Sequence, residues 1–217
     1  MKTVAFDVDG TLFETGKGIK ECVKYALDKL GLPQIGEDKL SKFIGPSLYY
    51  SFTVTVGLSD ELAQKAVSVY REIYYAVGID EAGPYEGVPQ MLEALYSSGY
   101  ELAVASSKPL VMVNRLLNKF DLSKYFVRVC APDGAAVSND KSSLVRAAMG
   151  DTMGVMVGDT GYDIEGAHGA GVNAIGVTYG YGTSEALKNA DYIAASPYEV
   201  QKIILGGDGI FVRKSQN

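Results

Sequence analysis

The sequence is poor in the residues that carry thiol, imidazole and indole chemistry. Its 217 residues include two cysteines, one histidine and no tryptophan. Cys22 and Cys130 are far apart and lie in no Cys-x-x-Cys or Cys/His cluster, so we expect neither a disulfide framework nor a zinc site. Two isolated thiols are typical of a reducing compartment, which predicts a cytoplasmic protein.

Long apolar runs and blocks of basic residues are also missing. No apolar run approaches membrane-spanning length and a strand pattern begins by residue 3, so we expect no membrane span and no secretion signal. The formal net charge of -6 argues against a nucleic-acid partner. The hydrophobic fraction of 47% is ordinary for a globular protein, and the length allows one ample core with at most a small appended domain.

Two carboxylates follow the first apolar run. The segment from Thr3 to Leu12 predicts a buried strand that ends in Asp7, Asp9 and then Gly10. Side chains two residues apart on a strand point the same way, so Asp7 and Asp9 are expected to project together. Such close carboxylates repel unless a proton or cation lies between them, which suits a hard metal ion beside a nucleophile or acid/base. A plain Asp-Gly turn is the alternative at this point.

Beyond residue 82, apolar strands alternate with amphipathic helices. This alternation predicts an α/β fold: a Rossmann-like, mainly parallel sheet with helices on both faces. Ligands of such sheets bind at the carboxyl ends of the strands. The predicted strands cover 101–105, 126–130, 154–158, 173–177 and 191–194, and the predicted helices cover 88–98, 109–120, 141–149 and a Gly/Ala-rich segment to 169.

Residues 15–82 lack this alternation and show no strand pattern. We therefore expect a small all-helical cap domain over 15–82, inserted after the first strand of a core that comprises 1–14 and 83–217. Five tyrosines of the cap are expected mainly to pack within it, with one or two facing a cleft. The tail 205–217 is either an extra edge strand or an unpacked end. The predicted cap helices cover 19–30, 38–43, 47–54 and 60–75, and the five tyrosines are Tyr49, Tyr50, Tyr70, Tyr74 and Tyr75.

A hydroxyl and a lysine stand where further strands give way to helices. Ser106 follows its strand directly and precedes a helix amino terminus, an arrangement suited to a phosphate group. The alternative is that Ser106 and Ser107 only cap that helix. Lys141 follows Asn139 and Asp140, which resemble a helix cap, and a cation in a first helical turn opposes the helix dipole. A nearby anion would justify Lys141, and a solvated lysine is the alternative.

Two more carboxylates follow the strand that ends at Gly158. Asp159 leaves this strand, and Asp163 falls in the first turn of the next helix. A helix cap with a dipole-complementing aspartate would account for one of them. It accounts poorly for four carboxylates, one hydroxyl and one lysine that all fall at strand ends.

These groups, in this order, resemble the four motifs of the haloacid dehalogenase superfamily. The helical insertion after the first motif resembles the C1 cap of that superfamily. Further segments, at 43–46, 84–88, 106–109 and 178–182, are similar to its phosphoglycolate phosphatase-like branch. The four motifs are matched by Asp7-Val8-Asp9-Gly10-Thr11, by Ser106, by Lys141, and by Gly158-Asp159 with Asp163.

The resemblance implies a Mg²⁺-dependent phosphatase that hydrolyses a small organic phosphomonoester through an aspartyl-phosphate. Asp7 would be the nucleophile, Asp9 the acid/base, and Ser106 and Lys141 would complete the catalytic residues by holding the phosphoryl oxygens. The implied metal residues are Asp7, Asp9 through its main-chain carbonyl, Asp159, and Asp163, which would bind metal waters or orient Lys141. The implied substrate-binding residues are Thr11, Ser106, Ser107 and Lys141.

Several alternatives stay open at this level. A phosphomutase of the β-phosphoglucomutase kind, a 5′-nucleotidase and a pyrophosphatase would use the same core groups. From another class, a phospho-accepting signalling receiver also combines acids, hydroxyls and a lysine on a parallel sheet. A receiver has no helical insertion after its first strand and no late Gly-Asp-x-x-x-Asp, so it is disfavoured. Lys108 is an alternative to Lys141 as the superfamily's lysine, and the substrate and the oligomeric state are not fixed by the sequence.

Overall fold

The computed structural model describes residues 2–133 and 140–211, and a six-stranded parallel sheet forms its centre. The sheet order is β5-β4-β1-β6-β7-β8, with every neighbouring pair parallel. The predicted α/β class is thereby confirmed, and the five strands predicted beyond residue 82 agree with the observed ones to within one residue. The first observed strand ends at Phe6, before the predicted end at Asp7 and Asp9, and the short strands at 13–14 and 83–84 are not predicted. The strands are β1 (Lys2–Phe6), β2 (Phe13–Glu14), β3 (Gly83–Pro84), β4 (Glu101–Ala105), β5 (Phe126–Cys130), β6 (Met153–Gly158), β7 (Asn173–Val177) and β8 (Tyr192–Ala194).

Helices cover both faces of this sheet. The longer runs follow the predicted spans, and Pro109 precedes its helix as the cap residue. The helices are α1 (Gly16–Lys29), α2 (Glu37–Leu40), α3 (Leu48–Tyr50), α4 (Asp60–Ala76), α5 (Val88–Ser97), α6 (Leu110–Lys119), α7 (Lys141–Met149), α8 (Gly161–Gly169) and α9 (Pro197–Leu205). No helix within 2–133 or 140–211 is both long and apolar enough to cross a membrane.

The two faces of the sheet differ in the size of their side chains. Alternate residues of a strand point to opposite faces, so Val4 and Phe6 of β1 enter the larger apolar cluster. Ala5 lies on the other face, in a cluster with many alanines together with buried residues of α7 and α8. The small side chains on that face let α7 and α8, which carry Lys141 and Asp163, pack closely on the sheet.

Residues 16–81 form the helical segment α1–α4 between two short strands. Strands β2 and β3 pair antiparallel, Phe13 with Pro84 and Glu14 with Gly83, where the chain leaves and re-enters the sheet region. The predicted helix over 47–54 is instead α3 continued by a π-helical turn, Ser51–Val56. The division of the chain into a core and a cap stays a prediction.

Caps fix where α7 and α8 begin. The Asp140 side chain accepts a hydrogen bond from the Ser142 backbone N–H at 3.1 Å, as the predicted cap requires. Asn139, the other predicted cap residue, lies outside the described residues. Thr160 and Asp163 form a reciprocal capping box at the start of α8.

The described part of the carboxyl-terminal tail packs against the core. It contains a short helical turn, Asp208–Ile210, and no strand forms over 205–211. The Asn173 side-chain amide donates a hydrogen bond to the Ile210 carbonyl at 3.0 Å, and the Phe211 ring stacks on Tyr100 with centroids 5.3 Å apart. The edge-strand alternative is therefore not observed over 205–211, and 212–217 lie outside the described residues.

Candidate active site

Three neighbouring strands end at one edge of the sheet and present polar side chains there. Asp7 follows β1, Ser106 follows β4 and Asp159 follows β6, and β1 lies between β4 and β6 in the sheet. The first residue of α7, Lys141, and the first turn of α8, with Asp163, meet the same edge. Residues separated by more than 150 positions thus converge, as is typical of ligand sites in open parallel sheets.

Three buried carboxylates form a compact cluster. Asp7, Asp159 and Asp163 each offer an oxygen within 4.8 Å of the others. Burial, opposed by Lys141 and reinforced by Asp163, raises the pKa of Asp7 from 3.8 to about 6. Burial and then Asp163 raise the pKa of Asp159 well above its ordinary value. Their ionised forms are therefore costly here unless a cation joins them.

Lys141 supplies one positive charge to this cluster. Its Nζ lies 2.7 Å from Asp7 Oδ1 and 2.7 Å from Asp163 Oδ1. Burial alone would lower the pKa of Lys141, but Asp163 and Asp7 outweigh it and raise that pKa overall. Gly166 of α8 gives the lysine room, because a Cβ there would lie 2.5 Å from Lys141 Cγ. Lys141 is therefore held protonated beside the Asp7 carboxylate.

Asp9 lies in a second charged group, apart from the three-carboxylate cluster. Its Oδ1 accepts from Lys108 Nζ at 2.9 Å, and the same Nζ donates to the Tyr74 hydroxyl at 2.8 Å. Asp9 is not among the three clustered carboxylates, although it adds to the raised pKa of Asp7. The expectation that Asp7 and Asp9 project together stays a prediction, and β1 ends at Phe6, before both aspartates. In that turn Gly10 adopts a positive φ of 83°, which favours glycine. Lys108 thus has a different anionic partner from Lys141.

The three other predicted substrate residues occupy distinct places. Ser106 is buried after β4, and its hydroxyl accepts a hydrogen bond from the Lys108 backbone N–H at 3.2 Å. Ser107 lines the adjacent cavity. Thr11 is fully buried and its hydroxyl is directed to Asp159 Oδ1 at 3.4 Å, so this side chain supports the carboxylate cluster.

A loop after β7, residues 178–182, holds the site together. The Tyr181 backbone N–H donates to Asp159 Oδ2 at 2.8 Å, while the Tyr181 hydroxyl accepts from the backbone N–H groups of Thr15 and Gly16 at 2.9 and 2.7 Å. The Tyr179 hydroxyl donates to the Thr11 carbonyl at 3.1 Å. The sequence marks this loop only by its resemblance to the phosphoglycolate phosphatase-like branch, although glycines beside two tyrosines indicate a close backbone approach.

A cavity of about 730 Å³ separates the sheet edge from the helical segment. Asp9 and Lys108 lie on its sheet side, and α4 contributes much of the opposite side. More tyrosines of residues 15–82 face the cleft than the expected one or two, because several tyrosines of α4 line the cavity. Those that line the cavity are Tyr49, Tyr70, Tyr74 and Tyr75.

The fold and the site define a hydrolase of a known family. The family model of haloacid dehalogenase-like hydrolases matches residues 4–177, which is most of the chain. The chain therefore belongs to the haloacid dehalogenase-like hydrolase family, as the four motifs suggest.

Known proteins of similar sequence and structure indicate which class of hydrolase this is. A 5′-nucleotidase of Pseudomonas aeruginosa is 35% identical over 191 residues, which cover 85% of this chain and 86% of that protein. A phosphoglycolate phosphatase of Vibrio parahaemolyticus is 28% identical over 94% of this chain and 96% of its own. The crystal structure of a predicted phosphatase from Clostridium acetobutylicum superposes with a TM-score of 0.89 at 36% identity, over 95% of this chain and 99% of that one. The predicted enzyme class, a phosphatase hydrolase, is confirmed.

Proposed function

We propose that this protein is a Mg²⁺-dependent phosphatase that hydrolyses a small organic phosphomonoester through a phosphorylated Asp7. The proposal depends on the buried Asp7 carboxylate. This carboxylate contacts Lys141, and its oxygen lies within 4.8 Å of carboxylate oxygens of Asp159 and Asp163. A reactive carboxylate beside a fixed cation and two further carboxylates is an arrangement for in-line phosphoryl transfer, in which positioning and charge neutralisation provide most of the catalysis.

The donor set fits Mg²⁺. Carboxylate oxygens are the ligands this hard cation prefers, and the cluster holds three carboxylates against the single ammonium of Lys141. Burial first, and then repulsion from neighbouring carboxylates, raises the pKa values of Asp7 and Asp159, so a bound cation would favour their ionised forms. Asp7 and Asp159, with the Asp9 main-chain carbonyl, would hold the ion, which supplies charge neutralisation for the phosphoryl oxygens when bound.

The protein's own groups carry the covalent steps. A carboxylate oxygen of Asp7 attacks phosphorus, and the bond from phosphorus to the ester oxygen breaks as Asp9 donates its proton to that oxygen. Asp9 then takes a proton from water, the water oxygen attacks the phosphorus of the phosphorylated Asp7, and the bond from phosphorus to the Asp7 oxygen breaks to release inorganic phosphate and the free carboxylate. Each turnover thus returns Asp7 and Asp9 to their starting states.

Lys141 and Ser106 would hold the phosphoryl oxygens during both attacks. Both lie at helix or strand ends beside Asp7, and Lys141 remains charged because of its two carboxylate partners. Preorganised donors of this kind stabilise charge that develops in the transition state. The helical segment, which we propose to be a cap over 15–82, would exclude water when Tyr74 contacts Lys108, and would open for product release.

Two substrate classes are favoured within this activity. The phosphoglycolate phosphatase relatives support a short acidic leaving group. The 5′-nucleotidase relative, together with the tyrosine-lined cavity, supports nucleoside monophosphates as the second candidate. A cytoplasmic location belongs to the same proposal, because both cysteines are unpaired and small phosphorylated metabolites are concentrated there.

The test is phosphate release from a panel of small phosphomonoesters, with Mg²⁺ and with a chelator, for wild type and Asp7→Asn. Asp151→Asn is the matched control, because it changes an exposed aspartate outside the site in the same way. We expect Mg²⁺-dependent turnover by wild type and control, and a loss of about 10⁴-fold or more in kcat for Asp7→Asn, the size seen when a covalent nucleophile is removed.

Two outcomes would contradict the proposal. One is Mg²⁺-dependent phosphate release that survives in Asp7→Asn, which would remove Asp7 from the covalent role. The other is absence of release from every ester by folded, Mg²⁺-loaded wild type.

A further inference from the structure

Four polar side chains on one face of helix α4 line the cavity. Gln64, Ser68, Arg71 and Tyr75 line the cavity at spacings of three and four residues, so they share one face of the helix. Among these side chains Arg71 carries the charge. An arginine on a cavity wall is informative because its five donors demand acceptors.

Arg71 lacks the partners that the other described arginines have. Its Nε is buried without a hydrogen-bond partner, and neither a hydrogen bond nor an ion pair joins its guanidinium to any residue of 2–133 or 140–211. Arg115, Arg128 and Arg146 each donate to a backbone carbonyl. A buried donor without an acceptor is costly, so a group that is absent from the free protein is the simplest explanation for it.

The charges around the cavity favour an anion as that group. Asp9 and Lys108, the other charged residues that line it, neutralise each other, which leaves the Arg71 charge uncompensated among the lining residues. Arg71 lies one helical turn from Tyr74, whose hydroxyl contacts Lys108. A single turn corresponds to roughly 5 Å between side-chain bases, and Arg71 borders the same cavity as the Lys108–Asp9 pair.

From this arrangement we infer that the leaving group of the substrate carries a second anionic group, a carboxylate or a phosphate, and that Arg71 binds it. The inference rests on the proposed phosphatase function and adds the residue that would select an acidic leaving group. The planar guanidinium matches both anions with two parallel hydrogen bonds, one of which uses Nε. A neutral nucleoside provides no such anion, although its base can stack on an arginine, and that outcome is included in the test.

The experiment measures kcat/KM on matched ester pairs for wild type, Arg71→Gln and Arg71→Lys. Phosphoglycolate and 2-hydroxyethyl phosphate differ only in a carboxylate, and glycerol 1,3-bisphosphate and glycerol 1-phosphate differ only in a second phosphate. Adenosine 5′-monophosphate represents the neutral nucleoside. Lys65→Gln is the control, because it removes an exposed cation from the same helix outside the cavity.

We expect wild type to prefer the doubly anionic member of at least one pair. Arg71→Gln should lower kcat/KM for that member by about 10- to 100-fold, the loss of a hydrogen bond between charged groups, and Arg71→Lys should restore part of it. The neutral-tail esters should change less than about threefold, since only the anion-dependent binding is lost. The pair that shows the preference distinguishes carboxylate from phosphate.

Three results would overturn the inference while the phosphatase function stands. They are a wild-type preference for the neutral tails, a selective loss of activity on adenosine monophosphate in Arg71→Gln, and an equal loss on all esters, which would indicate a structural role. Failure of the phosphatase function itself is distinguishable, because wild type would then release phosphate from none of the esters.

Discussion

Two buried lysines contact the two aspartates that follow β1, Asp7 and Asp9, in different ways. Lys141 contacts Asp7 and Asp163, which both belong to the sheet region. Lys108 contacts Asp9 on the sheet side and the Tyr74 hydroxyl on the helical segment. One lysine is therefore fixed entirely within the sheet region, whereas the other depends on where α4 lies.

The lysine beside the proposed nucleophile therefore differs from the lysine beside the proposed acid/base in whether it contacts the helical segment. The proposed nucleophile Asp7 keeps its cation whatever the helical segment does. The proposed acid/base Asp9 shares its cation, Lys108, with the Tyr74 hydroxyl of α4. We therefore propose that the phosphoryl site is formed within the sheet region alone, and that the proton-transfer site is completed by the proposed cap.

The largest effect is expected from Lys141→Met. Loss of a preorganised donor to the phosphoryl oxygens should lower kcat by about 10²- to 10³-fold for every ester, whatever its leaving group. Steady-state kinetics on the ester panel measures this, and circular dichroism confirms that the variant folds. A folded Lys141→Met with wild-type kcat would show that the sheet-region lysine is only structural.

The next effect concerns stability without metal. The pKa of Asp7 is raised from 3.8 to about 6, so the folded state holds this proton more tightly than the unfolded state. The Asp7 contribution therefore becomes unfavourable as pH rises from about 4 through 6, by up to about 3 kcal/mol for two pKa units. Metal-free Asp7→Asn should accordingly be more stable than wild type at pH 7.5, and the difference should vanish near pH 4.

Urea unfolding at the two pH values measures this difference. Asp151→Asn serves as the control that removes an exposed charge. Mg²⁺ should stabilise wild type more than Asp7→Asn at pH 7.5, because it binds only the folded cluster. The prediction would be contradicted if metal-free wild type gained stability relative to Asp7→Asn as the pH rises from 4 to 7.5.

The smallest effect is expected from Lys108→Met, and it should depend on the leaving group. Without Lys108 the Asp9 carboxylate loses its position, so alkyl phosphates, whose leaving oxygen needs a proton, should lose roughly 10- to 100-fold in kcat. p-Nitrophenyl phosphate needs no proton on its leaving oxygen and should lose much less. Tyr74→Phe should show the same pattern more weakly. Equal losses on both kinds of ester would contradict the positioning role.

The sheet and the carboxylate cluster could be predicted because local patterns determine them. Apolar runs predict the strands, and the strand ends of a parallel sheet meet at one edge. The sequence therefore predicts that Asp7, Asp159 and Ser106 lie together at that edge. The Asp140 cap likewise predicted the first residue of α7.

The cavity could not be predicted in the same way. The position of α4 over the sheet depends on packing between distant segments, which no local pattern records. The contact of Lys108 with Tyr74 depends on that packing, as does the place of Arg71, whose guanidinium has no partner within 2–133 and 140–211. The contacts of Lys108 with Asp9 and of Tyr181 with Thr15 also join segments far apart in the sequence. The π-helical turn after α3 was likewise not predicted, because its four consecutive β-branched residues, 53–56, favour no particular type of helix.

The most direct test of the central claim is to trap the phosphoryl group on Asp7. Asp9→Asn is mixed with Mg²⁺ and p-nitrophenyl phosphate, which leaves without a proton, so the intermediate forms but its hydrolysis lacks a base. We predict a burst of one nitrophenolate per protein molecule, and mass spectrometry after acid quenching should locate a phosphoryl group on Asp7. The additional Asp7→Asn substitution should abolish both signals. Turnover without a burst and without a phosphorylated Asp7, or a phosphoryl group on another residue, would contradict the account.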